Sequence, residues 1–87
     1  MYKVEVELRA QAGLHARPAG LFVKVASKYS SDIKIVKDGK EFNAKSIMGI
    51  LSMGAAKGDK LTIIAEGADE KEAIAKLKEL VDRNFGE

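Results

Sequence analysis

The chain contains no cysteine, so disulfide frameworks, thiolate-bound zinc and thiol catalysis are excluded. Histidine occurs once, at His15, too few for a histidine-rich metal centre. Tryptophan is absent and aromatics make up only 6% of residues. They are not interleaved with the basic residues, so a nucleic-acid surface is not expected. No apolar stretch approaches the ~18 residues of a membrane-spanning helix. The opening residues, Met1 to Glu5, alternate in character and lack the apolar core of a signal peptide. The expected location is the cytoplasm. A length of 87 residues points to one small domain over residues 1–87.

What is present is an ordinary globular mixture, 46% hydrophobic and 32% charged, with a net charge of +2. Charge is unevenly spread. Residues 1–45 carry nine Lys/Arg against five Asp/Glu, and residues 46–87 carry six against eight. A basic first half favours acidic partner surfaces.

Residues 2–9 alternate strictly, with Tyr2, Val4, Val6 and Leu8 on one face, which predicts a half-buried strand. A loop over 10–15 contains Gly13. Leu21, Phe22, Val25, Ala26 and Tyr29 then recur at helical spacing, predicting a helix from Ala16 to Lys28 with Pro18 in its first turn. Ile33 to Val36 reads as a strand. Asp38-Gly39 is a two-residue hairpin signal leading to a short strand at Glu41-Phe42. Ser46 is placed to cap a short apolar helix that Gly54 stops. Leu61 to Glu66 is a further strand. The last helix carries the stripe Ala73, Ile74, Leu77, Leu80 and Val81, with Asp69 as expected N-cap and Glu72 completing a capping box. The order is βαββαβα. An antiparallel or mixed four-stranded sheet covered by helices on one face fits it, with a ferredoxin-like arrangement as the nearest alternative.

Chemistry concentrates in Gly13-Leu14-His15-Ala16-Arg17-Pro18-Ala19. This places an imidazole and a guanidinium at the start of a helix. First-turn amides have no intrahelical acceptor, and the helix dipole adds positive potential. Arg17 contributes a charged fork that suits phosphate oxygens. Imidazole is substantially neutral near neutral pH, and a neutral ring nitrogen can attack phosphorus. The product would hold its oxygens beside the amides of Ala16 and Arg17. The neighbouring sequence offers no acid, base or metal to hydrolyse it. The pattern therefore suits a covalent carrier better than a turnover enzyme.

The stretch GLHARPA resembles the active-site signature of HPr, the histidine-containing phosphocarrier of the bacterial phosphoenolpyruvate-dependent sugar phosphotransferase system. A second stretch, Asn43-Ala44-Lys45-Ser46-Ile47-Met48-Gly49, is similar to the regulatory serine region of HPr from Gram-positive bacteria. Length and element order agree as well, and Gly20 stands where the family frequently has alanine. The resemblance implies an α+β open-faced β-sandwich, four antiparallel strands covered by three helices. It implies that His15 accepts a phosphoryl group on Nδ1 from phosphorylated enzyme I and passes it to enzyme IIA domains. Arg17 would hold the phosphate. Ser46 would be phosphorylated by HPr kinase/phosphorylase, and a catabolite control protein would bind that form. No cofactor, metal or direct membrane insertion is implied. Ile47, Met48 and Leu51 are the expected docking residues, because a short helix cannot bury every apolar side chain. A compact polar surface suggests a monomer. The alternative is a regulatory HPr-like binding protein acting through Ser46. Homologues of that type lack the histidine that this chain keeps.

Overall fold

A computed structural model describes residues 1–10 and 13–86. Its elements are β1 (Tyr2–Glu7), α1 (Ala16–Ala26), β2 (Asp32–Lys37), β3 (Lys40–Asn43), α2 (Ile47–Ser52), β4 (Lys60–Glu66) and α3 (Glu70–Asp82). A 3₁₀ turn, Asn84–Gly86, follows α3. The four strands form one sheet in the order β1-β4-β2-β3, and every neighbouring pair is antiparallel. The expected open-faced β-sandwich, with three helices against one face, is the fold observed.

Register decides which side is buried. Val4 opposes Ile63, Ile63 opposes Ile35, and Ile35 opposes Phe42, so this row faces the helices. The next row out, Lys3–Ile64–Lys34–Asn43, points to the open face. Period-two alternation thus puts one side of every strand in the core. Val6, Ile33, Ile35, Leu61, Ile63 and Ala65 are buried there. From α1 come Pro18, Ala19, Phe22 and Ala26, and from α3 come Ala73, Ile74, Leu77 and Val81. Phe22 is 1% exposed, and burying such a ring stabilises the fold by roughly 1.5–3 kcal/mol. Asp38 and Gly39 take φ values of 52° and 79°, the two positive angles of a type I′ hairpin. No helix among the described residues is long and apolar enough to cross a membrane.

Three sequence expectations change. The first strand ends at Glu7, although Leu8 and Ala10 stay buried. The Leu8 amide leaves the ladder and donates to the Asp59 carbonyl at 2.9 Å, while the Gly58 amide donates to the Leu8 carbonyl at 2.7 Å. Of the loop expected over 10–15, residues 11 and 12 lie outside the described residues. The first helix stops at Ala26, two residues early, in a turn through Ser27 and Lys28.

The third change is the capping box, which does not form. Asp69 is the N-cap residue of α3, yet its carboxylate makes no cap hydrogen bond. It accepts instead from the Ser30 amide at 2.9 Å, the Ser31 amide at 3.0 Å and the Ser31 hydroxyl. These donors, the hydroxyl first, lower the Asp69 pKa to about 2. Glu70 supplies the local acceptor, taking the Gly67 amide at 3.2 Å and pairing with the N-terminal ammonium of Met1 at 3.2 Å. Both interactions, the amide first, lower the Glu70 pKa. Gly67 is required here by close approach, because an added Cβ would lie 2.7 Å from Ser31 Cα.

Candidate functional site

His15 is the N-cap residue of α1, with extended backbone angles of φ −83° and ψ −170°. Its carbonyl accepts the Ala19 amide at 3.0 Å, which starts the helix. Its imidazole makes no cap hydrogen bond, so the ring is not used up in holding the turn. His15, Ala16 and Arg17 are exposed in sequence. Pro18 and Ala19 behind them are buried, as are Gly13 and Leu14 before them. The segment is therefore an exposed triplet between buried flanks. Arg17 lies in the first helical turn, one residue beyond Ala16, beside the amides that would face an anion on His15.

The flank before His15 depends on one close contact. Gly13 has φ +70°, and an added Cβ would overlap the Ala55 carbonyl and lie 2.9 Å from Ala56 Cα. With glycine there, the Leu14 amide reaches the Ala55 carbonyl at 3.1 Å. This ties the histidine loop to the segment leaving α2.

At the other end of α2, Ser46 is the N-cap, and its Oγ accepts the Gly49 amide at 3.0 Å. The turn before it is set by Asn43, whose Oδ1 accepts the Lys45 amide at 2.9 Å and whose carbonyl accepts the Ser46 amide at 3.2 Å. Lys45 Nζ donates to the Tyr29 carbonyl at 2.7 Å, bracing this turn against the chain leaving α1. Over six residues α2 can bury only one face. Ile50 lies inward, and Met53 just past the helix is also buried. Ile47, Met48 and Leu51 are exposed by 39%, 72% and 38%, and together make an apolar patch on the outer side.

The structure thus packs α1, capped by His15 and carrying Ala16 and Arg17, on α2, the helix that Ser46 caps and that bears the apolar patch. Two further residues of α1, Leu21 and Lys24, were not grouped with Arg17 from the sequence. Leu21 was expected in the core stripe of α1 but is only half-buried. It falls between Arg17 and Lys24 at spacings of four and three, so the three share a helix face. Lys24 is exposed. The signal was available in the spacing, but Leu21 also suits the adjoining apolar stripe, and Lys24 alone reads as a solvated charge.

The family model described as "PTS HPr component phosphorylation site" matches residues 2–83. The HPr-like protein Crh of Bacillus subtilis (strain 168) is 51% identical over 77 residues, covering 88% of this chain and 91% of that protein. An HPr from Thermoanaerobacter tengcongensis superposes with a TM-score of 0.97 at 53% identity, covering 100% of this chain and 98% of the other. Crh of Bacillus subtilis, in a crystal structure of a dimer with a swapped domain, gives a TM-score of 0.77 at 48% identity, with 97% of each chain covered.

Proposed function

This chain belongs to the HPr family, and from that premise we propose that it is the phosphocarrier of a sugar phosphotransferase system. His15 Nδ1 attacks the phosphorus of a phosphohistidine on enzyme I. The new nitrogen–phosphorus bond forms as the donor's breaks, and the donor imidazole leaves with its electron pair. Transfer to a histidine of an enzyme IIA domain repeats the exchange in the other direction. The observation that carries this reading is the exposed imidazole of His15, at the N-cap of α1 and making no cap bond. Beside it, the first-turn amides and Arg17 meet charge that grows as the phosphoryl group arrives. The patch of Ile47, Met48 and Leu51 on α2, together with the Arg17 and Lys24 face of α1, is the docking surface for acidic partner faces. Ser46 is the regulatory site, phosphorylated by HPr kinase/phosphorylase at the expense of ATP, and its phosphorylated form suits a catabolite control protein. We take the working form to be a monomer, with a dimer, such as the domain-swapped one of the Crh crystal structure, as the competing state.

The test is incubation with phosphoenolpyruvate and enzyme I, followed by intact mass. One phosphoryl group should add to the chain, stable to base and labile to acid. His15→Ala should abolish it without changing the melting temperature. Arg17→Ala should slow transfer, and Arg17→Lys should restore only part, having charge without the fork. Labelling that persists in His15→Ala refutes the carrier reading. A second reading, a regulatory protein acting through Ser46 alone, is favoured by the similarity to Crh. It predicts no labelling by enzyme I and full phosphorylation by the serine kinase.

A further inference from the structure

We propose that Met48 is a modification site for hydrogen peroxide, and that its sulfoxide weakens docking at the α2 patch. The inference rests on the docking role proposed for that patch. The chain has no cysteine, so oxidant chemistry that elsewhere falls on thiols has only the three methionines as sulfur targets. Their surroundings differ sharply. Met53 is 6% exposed beneath α2, whereas Met48 is 72% exposed between Ile47 and Leu51. Met1 is exposed as well, but it lies next to Glu70 at the start of α3, with its ammonium paired there.

The chemistry balances with peroxide alone. A lone pair on the Met48 thioether attacks one peroxide oxygen, the O–O bond breaks, and an S–O bond forms as water leaves. Sulfur loses two electrons and the peroxide gains them. The product is a polar, chiral group in the centre of an apolar patch. Burying it against a partner leaves a strong acceptor needing a donor that neither apolar side chains nor carboxylates offer. The side-chain bonds along α2 do not use the Met48 thioether: the Gly49 amide donates to Ser46 Oγ at 3.0 Å and Ser52 Oγ donates to the Gly49 carbonyl at 2.9 Å. The modification therefore acts on the surface and leaves the helix intact.

The experiment treats the purified chain with hydrogen peroxide, removes the oxidant with catalase, and maps added oxygen by peptide mass. Met48 and Met1 should oxidise and Met53 should not, with no change in melting temperature. Saturating enzyme I should protect Met48 but not Met1. At carrier concentrations below saturation, peroxide treatment should slow transfer from enzyme I about tenfold in the wild-type chain. That loss corresponds to ~1.4 kcal/mol of docking free energy. Methionine sulfoxide reductase with a thiol reductant should reverse it. In Met48→Leu, the ratio of treated to untreated rate should be near one, whatever its starting rate. The proposal is overturned if Met48 oxidises no faster than Met53, or if the fully Met48-oxidised chain transfers at the untreated rate. If the untreated wild-type chain is not labelled by enzyme I, the carrier reading itself fails and this proposal falls with it.

Discussion

Ser46 caps α2 and is also the proposed regulatory site, and substitution distinguishes the two roles. Its Oγ accepts the Gly49 amide at 3.0 Å, satisfying one of the first donors of α2. Ser46→Ala removes that acceptor and should destabilise the protein by about 1 kcal/mol. For a domain of this size, that lowers the melting temperature by about 4–8 °C. Ser46→Asp keeps an acceptor within reach of the same amide and adds negative charge at a helix start, worth ~0.3–1 kcal/mol. Its melting temperature should equal or exceed that of the wild type. Carrier activity should rank differently. Well below the melting temperature, Ser46→Ala should accept phosphoryl groups from enzyme I at close to the wild-type rate. Ser46→Asp should be slow, because its charge adjoins the apolar patch on which an acidic partner would dock. That loss should shrink as salt rises from ~0.15 M to ~1 M, when the screening length falls from ~8 Å to ~3 Å. The assays are calorimetry and phosphoryl transfer at two ionic strengths. Equal melting losses in both variants would refute the cap argument. A wild-type transfer rate for Ser46→Asp in low salt would refute the charge argument.

Gly20 lies within α1, and an added Cβ meets nothing within 4 Å, so Gly20→Ala should stabilise by up to about 1 kcal/mol, read as a raised denaturation midpoint. Gly13→Ala should do the reverse, losing roughly 2–4 kcal/mol from a positive φ and the overlap with Ala55, with phosphoryl acceptance by His15 slowed as its loop shifts. The Asp69 carboxylate has a folded pKa of about 2, below its unfolded value near ~3.9. Its contribution to stability is complete above that unfolded value and is lost as pH falls from ~4 towards 2. Chemical denaturation across that window should show Asp69→Asn losing stability less steeply than the wild type.

The alternation of β1, the Asp38-Gly39 hairpin and the Ser46 cap were legible because each is encoded within a few neighbouring residues. The Asp69 capping box was misread for the opposite reason. Its carboxylate is taken by Ser30 and Ser31, nearly forty positions away, and no local pattern announces those donors. Ser31, read from the sequence only as part of a break at Ser30-Ser31-Asp32, is buried, which no local pattern announces either. The end of β1 follows similar logic. Leu8 keeps the burial that alternation predicts, but its backbone bonds to the turn at Gly58 and Asp59. Phe85 also escaped notice. It follows the last helix at φ 56° and is nonetheless buried, a placement set by the core surface available beside α3. The segment around His15 was readable because Gly13, His15, Arg17 and Pro18 are contiguous. Its attachment to Ala55 was not, since that contact depends on where α2 ends.

The strand order has a consequence for how the protein comes into being. β4 lies between β1 and β2, yet it is the last strand in the chain. A ribosome must release residues up to Glu66 before either neighbour can hydrogen-bond to it. Until then, β1 has no partner and the β2–β3 hairpin stands alone, and such hairpins are marginal in water. Both His15 and Ser46 are therefore translated and exposed to solvent before the sheet that positions them exists. A nascent chain arrested short of β4 would display both side chains without their settings, and an enzyme that recognises shape would pass over it until β4 had been made.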